Sequence, residues 1–171
     1  MMTVLECIEA RKSIRSFENR EIEAEKLDKV LEAGRLAPSA SNRQTWKFIV
    51  VQNENLRNKM IEACSNQEFV GEAPAILVVC AEPHVMRCKQ DAATIDASIA
   101  LSFMMLEAEE QGLGTCWIGA FYEEKVRKLL KVPNDYQIVA LTPIGYPAET
   151  GTEHLRKDRS EIISYDNFRY L

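Results

Sequence analysis

Histidine is scarce in this chain: His84 and His154 are the only two, 70 positions apart. A histidine metal site or a Cys–His nucleophile therefore has no local support. Five cysteines stand at 7, 64, 80, 88 and 116, an odd count with no C-x-x-C pair. That pattern argues against a disulfide framework and reads as reduced thiols of a cytoplasmic protein. Cys80 and Cys116 lie inside apolar runs and are expected in the core. No run of 18 apolar residues offers a membrane span. The first residues lack a basic segment followed by an apolar one, so no signal peptide is expected. Lysine and arginine number 21 against 26 acidic residues, and a net charge of −5 disfavours a nucleic-acid partner. There is no nucleotide P-loop, internal repeat or low-complexity tract. What remains is ordinary for a single soluble domain: 171 residues, 46% hydrophobic and 27% charged, enough for a sizeable core.

The most informative stretch runs over 37–51. Pro38 disfavours helical geometry at Ala37 and has no N–H of its own. Ser39 to Gln44 then supply hydroxyls, two side-chain amides and backbone N–H groups in a short space. Phe48-Ile49-Val50-Val51 reads as a buried strand. Taken alone, the stretch reads first as a helix–strand connection with turn residues and second as a ligand-holding loop, an order that the rest of the chain changes.

Around it the elements can be placed in order. Thr3 and Glu6 match a capping box opening a helix with Val4, Leu5 and Ile8 on one face. A second helix is predicted over 23–36, a strand over 47–52, and a third helix after Asn53 with Leu56, Met60, Ala63 and Cys64 as its apolar side. Residues 69–74 read as a turn-rich link, and 75–81 as a second buried strand. Residues 91–111 form the longest predicted helix. Its apolar residues, among them Ile95, Ile99, Phe103, Met104 and Leu106, go nearly all the way round. A helix apolar on every side is buried on every side, which predicts a second subunit covering part of it. Gly112 is expected to end that helix and lead into a strand, with Gly119 letting backbone approach something flat or bulky. Gly112 to Gly119 superficially resembles a dinucleotide fingerprint, but follows a helix and carries Trp117 where the third glycine should fall. A short helix over 122–131, a turn over 133–135 and a strand over 137–145 follow. The tail, 148–171, has little helical periodicity and is long enough to lie across a partner subunit.

Arg11-Lys12-Ser13-Ile14-Arg15-Ser16-Phe17 places cations and hydroxyls around two apolar anchors. It reads either as a solvated basic turn or as an anion site, since a guanidinium grips phosphate with paired bonds and a hydroxyl adds a donor.

Together with Ala37-Pro38-Ser39-Ala40-Ser41-Asn42-Arg43-Gln44, Trp46 and Phe48, with Gly112 to Gly119, with Pro143-Ile144-Gly145-Tyr146-Pro147, and with the basic cluster before Glu161-Ile162-Ile163-Ser164-Tyr165, this segment resembles the nitroreductase family of flavin mononucleotide (FMN) oxidoreductases, in its compact form. The resemblance spans nearly the whole chain in order. It implies an α+β fold, a central, mostly antiparallel mixed sheet flanked by helices, in an intertwined homodimer. Residues 1–147 would form one FMN-binding domain and 148–171 an arm crossing to the partner. It further implies Arg11 and Ser13 at the FMN phosphate with Lys12 beside them, helped by Arg156 or Lys157. Arg15 would face the pyrimidine side of the flavin, where a fixed cation favours hydride uptake electrostatically. Ser39, Asn42 and Gln44 would contact ribityl and ring edges, usually from the other subunit, with Pro38 and Ala40 contributing through backbone and packing. Trp117, Ile118 and Gly119 would pass the ring near N5. Thr45 stands where the family frequently has proline.

The implied activity passes hydride from NADH or NADPH through FMN to a nitroaromatic, quinone or similar small acceptor, with no catalytic side chain or metal required. The alternatives are a flavin-binding sensor or electron-transfer module without efficient turnover, and a reductive dehalogenase-type relative.

Overall fold

A computed structural model of the chain describes residues 2–168. Its sheet has four strands: β1 (Trp46–Val51), β2 (Ala75–Ala81), β3 (Gly114–Thr115) and β4 (Gln137–Gly145), in the order β1-β2-β4-β3. All three pairings are antiparallel. Among the described residues the one parallel link is an isolated bridge from Ser13 to Thr115 of β3. β2 lies in the middle and all seven of its residues are buried, which is why it is apolar without alternation. Leu77 and Val79 point into one core, Ile76 and Val78 into another on the opposite face. Each such side chain contributes about 1.5–3 kcal/mol by leaving water.

β1 departs from expectation. It starts one residue earlier than predicted and is an edge strand: only Trp46 and Val51 are buried, and Phe48, Ile49 and Val50 are half-buried. Local composition cannot distinguish an edge from a centre, because that depends on which strand pairs next. The strand after Gly112 is likewise shorter than predicted. β3 ends at Thr115, and beyond it Ile118 alone pairs with Leu141 (N···O 2.8 and 3.2 Å).

The helices cover both faces. α1 is Val4–Ala10, α2 Ala24–Arg35, α3 Glu54–Ala63, α4 Phe69–Glu72, α5 Ala92–Glu110, α6 Glu123–Leu130 and α7 Arg159–Ile162. α2 and α5 supply Leu27, Val30, Leu101 and Met104 to the first core; α3 and α6 supply Met60 and Val126 to the second. The Thr3–Glu6 capping box is present in both directions. Asn53 Oδ1 accepts from Leu56 N–H at 3.1 Å, opening α3. Asp91 caps α5, and Gly112 ends it at φ +72°, with Leu113 N–H donating to Ala108 O at 2.8 Å. Residues 69–72, expected as a turn, form α4 instead: Gln67 and Glu68 carbonyls accept from Val70 and Gly71, closing one helical turn before Pro74 stops it.

Two apolar surfaces stay uncovered. In α1 only Cys7 is buried, while Val4 and Leu5 are 72% and 62% exposed. On α5, Phe103 is 42% exposed and Ile95, Ile99 and Leu106 are half-buried. The tail is fastened at its start, where Ala148 N–H donates to Ser16 O at 3.0 Å; from 152 to 168 every residue is exposed, Leu155, Tyr165 and Phe168 included. The last three positions of the predicted arm lie outside the described residues.

Candidate functional site

The basic segment 11–17 leaves α1 and runs beside the sheet. Ile14 N–H donates to Thr115 O at 2.9 Å, and Glu18 N–H to Tyr146 O at 2.9 Å. Ile14 and Phe17 are buried, so the two apolar residues act as anchors and fix the backbone between them. Arg15 is exposed; Arg11, Lys12 and Ser13 are half-buried. Lys12 Nζ pairs with Glu153 Oε1 at 3.2 Å, and Arg15 N–H donates to Glu149 Oε1 at 2.5 Å. Neither Arg11 nor Arg15 has an ion pair among the described residues. Glu109, on the last turn of α5, is raised by burial, an effect that the charges of Arg11 and Lys12 partly offset. Gly151, at φ +68°, lies against this segment: a Cβ there would stand 2.8 Å from Lys12 Cβ. Glu149, Gly151 and Glu153 were not foreseen as part of this surface, since only the fold brings the tail's start beside residue 12.

The loop after α2 is held by its own hydrogen bonds. Ser39 Oγ accepts from Gln44 N–H at 3.0 Å, Ser39 O accepts from Asn42 N–H at 2.9 Å, and Gln44 Nε2 donates to Asn42 O at 3.1 Å. Ser41, Asn42 and Gln44 all sit at φ near +54°. Left-handed backbone at non-glycine residues costs about 1–2 kcal/mol each and persists where its surroundings impose it. Two clamps do so here. Ala37 and Trp46 pack on Ala100 of α5. Asp96, on the same helix and 2% exposed, accepts the Ala40 N–H with both oxygens (3.0 and 3.1 Å). Asp96 escaped the sequence reading; its one signal is a carboxylate between Ile95 and Ala97 in a helix that has no other charged residue before Glu107. Pro38, Asn42 and Gln44 are exposed, and Ser39 and Ala40 half-buried.

Trp117, Ile118 and Gly119 continue from β3. Ile118 is buried, and Trp117 is 38% exposed. A Cβ built on Gly119 would meet only Trp117 Nε1, at 3.7 Å, so the space there is open. Ser13's bridge to Thr115 joins this strip to the basic segment. The loop belongs elsewhere. It hangs on Asp96, and the basic segment lies by Glu109, 13 residues along α5, or about 20 Å at helical rise. The two groups of candidate residues therefore stand at opposite ends of α5. Arg156 and Lys157 join neither in the protomer. Both are exposed, and the Arg156 guanidinium donates to His154 O at 2.9 Å.

Among the described residues, no group of histidine, cysteine and acidic side chains is arranged to hold a metal. Burial pushes the Cys64 and Cys80 thiols up to about 11, which makes them packing residues rather than nucleophiles. No described helix is long and apolar enough to cross a membrane.

A model of the Nitroreductase family matches residues 8–68 and 61–146. A relative in Archaeoglobus fulgidus, provisionally named NADH dehydrogenase/NAD(P)H nitroreductase, is 34% identical over 163 residues, spanning 93% of this chain and 94% of its own. The crystal structure of a nitroreductase family protein from Clostridium novyi NT superposes with a TM-score of 0.84 at 36% identity, covering 87% of each chain. An FMN-dependent nitroreductase from Clostridium difficile R20291 does so with 0.81 at 33% identity, covering 95% of this chain and 98% of its own. The four-stranded sheet between helices is the fold of these structures.

Proposed function

The chain belongs to the nitroreductase family and is an oxidoreductase, and from that premise we propose that it binds FMN and works with NADH or NADPH as reductant and a nitroaromatic, quinone or similar small molecule as acceptor. The observation that carries the reading is the strip formed by Arg11, Ser13 and Arg15 beside Trp117 to Gly119, with two guanidiniums free of ion pairs among the described residues and open space at Gly119.

The residues present fit the group. Arg11 and Ser13 would bind its phosphate with charge-assisted bonds, Lys12 adding positive charge beside them. Arg15 would hold a fixed positive charge against the electron-rich edge of the ring system. Gly119 leaves room for a flat ring to lie against backbone. Ser39, Asn42 and Gln44, held ready by Asp96 and Trp46, would orient ribityl and ring edges. Pro38 and Ala40 would shape that wall, and Trp117 and Ile118 the opposite one. Bound FMN supplies two-electron hydride chemistry between reductant and acceptor, so no nucleophilic side chain is needed.

Because the half-sites stand at opposite ends of α5, the functional unit would be a homodimer in which each cleft takes its cations from one copy and its loop from the other. Residues 1–147 would be the body. The arm, 148–171, would cross to the partner, burying Leu155, Ile162 and Tyr165, and bring Arg156 or Lys157 to the phosphate. The purified protein should be yellow, its flavin absorbance bleaching anaerobically under NADH or NADPH and returning with a quinone or nitroaromatic. A colourless protein that takes up no added FMN would overturn the reading, and bleaching without steady reductant consumption would return it to an electron-transfer module.

A further inference from the structure

An open cavity of about 630 Å³ lies between the 39–44 loop and the turn that precedes α5. Ala40, Ser41 and Arg43 line one wall, and His84, Arg87 and Cys88 the other. The turn is closed by backbone: Met86 N–H donates to Gln90 O (2.9 Å), Lys89 N–H to Met86 O (2.8 Å) and Ala92 N–H to His84 O (2.9 Å). Both arginines of the cavity are exposed, and neither forms an ion pair among the described residues. The nearest acids in sequence are engaged elsewhere. Glu82 accepts from Tyr136 OH at 2.7 Å, and Asp91 caps α5 through Ala93 N–H (3.0 Å) and Thr94 Oγ1 (2.5 Å). His84 Nε2 is buried without a hydrogen-bond partner among the described residues. In a chain of net charge −5, the charged groups lining this cavity are positive.

Two guanidiniums facing one space, with no carboxylate lining it, suit a phosphate monoester, which each can meet with paired N–H donors. The cavity shares Ala40 with the wall assigned to the flavin, so a molecule lying over the flavin can extend into it. NADH and NADPH differ only by the phosphate on the adenosine 2′-oxygen. We propose that Arg43 and Arg87 form the site for that 2′-phosphate and make NADPH the preferred reductant. The proposal rests on the flavin reading above for the choice of a nicotinamide nucleotide as occupant; the two guanidiniums and the cavity stand without it.

The test has a binding arm and a kinetic arm. Titration calorimetry with 2′,5′-ADP and with 5′-AMP needs no flavin. 2′,5′-ADP should bind at least roughly tenfold more tightly, and Arg43→Ala and Arg87→Ala should each remove about that factor while leaving 5′-AMP unchanged. Arg43 has ordinary helical backbone (φ −71°, ψ −31°) between two left-handed neighbours, so alanine fits there without strain. In the flavin-loaded enzyme kcat/KM should favour NADPH over NADH, and both variants should erase that preference with the NADH value unchanged. Equal binding of the two nucleotides, or parallel loss with NADH and NADPH, would overturn the site. So would variants that lose discrimination between 4-nitrobenzoate and nitrobenzene as acceptors but keep the NADPH preference. Intact 2′,5′-ADP binding in a protein that takes up no FMN would keep this site and reject the flavin reading instead.

Discussion

At the scale of single residues, charge and hydrogen bonding set sharper expectations than burial does. The guanidiniums of Arg11 and Arg15 pair with no carboxylate among the described residues, so replacing them costs the fold little and the ligand much. Arg11→Ala should leave thermal unfolding nearly unchanged while weakening FMN binding by about 1.5–3 kcal/mol, roughly 10- to 150-fold, in a fluorescence titration. Asp96→Ala should cost the fold itself. It strands the Ala40 N–H and lowers stability by about 1–3 kcal/mol in urea unfolding. Glu23 gives a pH signature. The Tyr146 hydroxyl donates to it, backbone and Arg20 add further support, and its carboxyl is held down at about 2. A carboxylate whose pKa is lower folded than unfolded stabilises the fold above its unfolded value of 4.5, and that stability is lost as pH falls from there toward 2. Tyr146→Phe should therefore flatten the acid limb of the stability–pH curve between those values and leave its slope above pH 6 alone. Unfolding midpoints that keep the wild-type slope below pH 4.5 would reject that assignment.

At the scale of elements, what was legible followed from local signals, and what was not depended on neighbours. β2 and β4 stood where uninterrupted apolar runs meet Pro74 and Gly145. α5 was legible over 91–111 because its long apolar stretch runs up to a helix-ending glycine at Gly112. The edge position of β1, the brevity of β3 and the exposure of Val4 and Leu5 could not be read, since each is set by what lies alongside. The 11–17 segment and the 39–44 loop were legible as polar stretches with apolar anchors; that Asp96 holds one and Glu149 touches the other was not. Packing of α2 on α5 shows the same dependence. Gly34 faces Met104, which is 1% exposed; a Cβ there would collide with Met104 Cε and stand 2.8 Å from Cγ. Methionine is flexible, but it is enclosed here, so Gly34→Ala should destabilise by about 1–3 kcal/mol in chemical denaturation. A neutral result would mean that the two helices have room to part.

At the scale of the whole molecule, the proposed dimer would account for the uncovered surfaces and for the divided site together. α1 presents Val4, Leu5 and Ile8, α5 presents Phe103, and the tail carries Leu155, Ile162 and Tyr165 away from the body, all more than half exposed except Phe103 at 42%. Covering them with a second copy would also bring the loop of one chain to the cations of the other, which stand by opposite ends of α5 within one chain. Assembly and cofactor binding should then be a single equilibrium. In sedimentation the protein should run at twice its 19.4 kDa, and Phe103→Asp, which puts a charge on the exposed side of α5, should dissociate it. Flavin absorbance should leave the sedimenting boundary in the same concentration range as the dimer, because neither half-site alone offers both a cationic clamp and an orienting loop. Adding FMN should in turn shift the variant back toward dimer, since a ligand bound only by the assembled form stabilises that form by mass action. A monomer that keeps one FMN per chain would separate the two events and place both halves of the site within one copy.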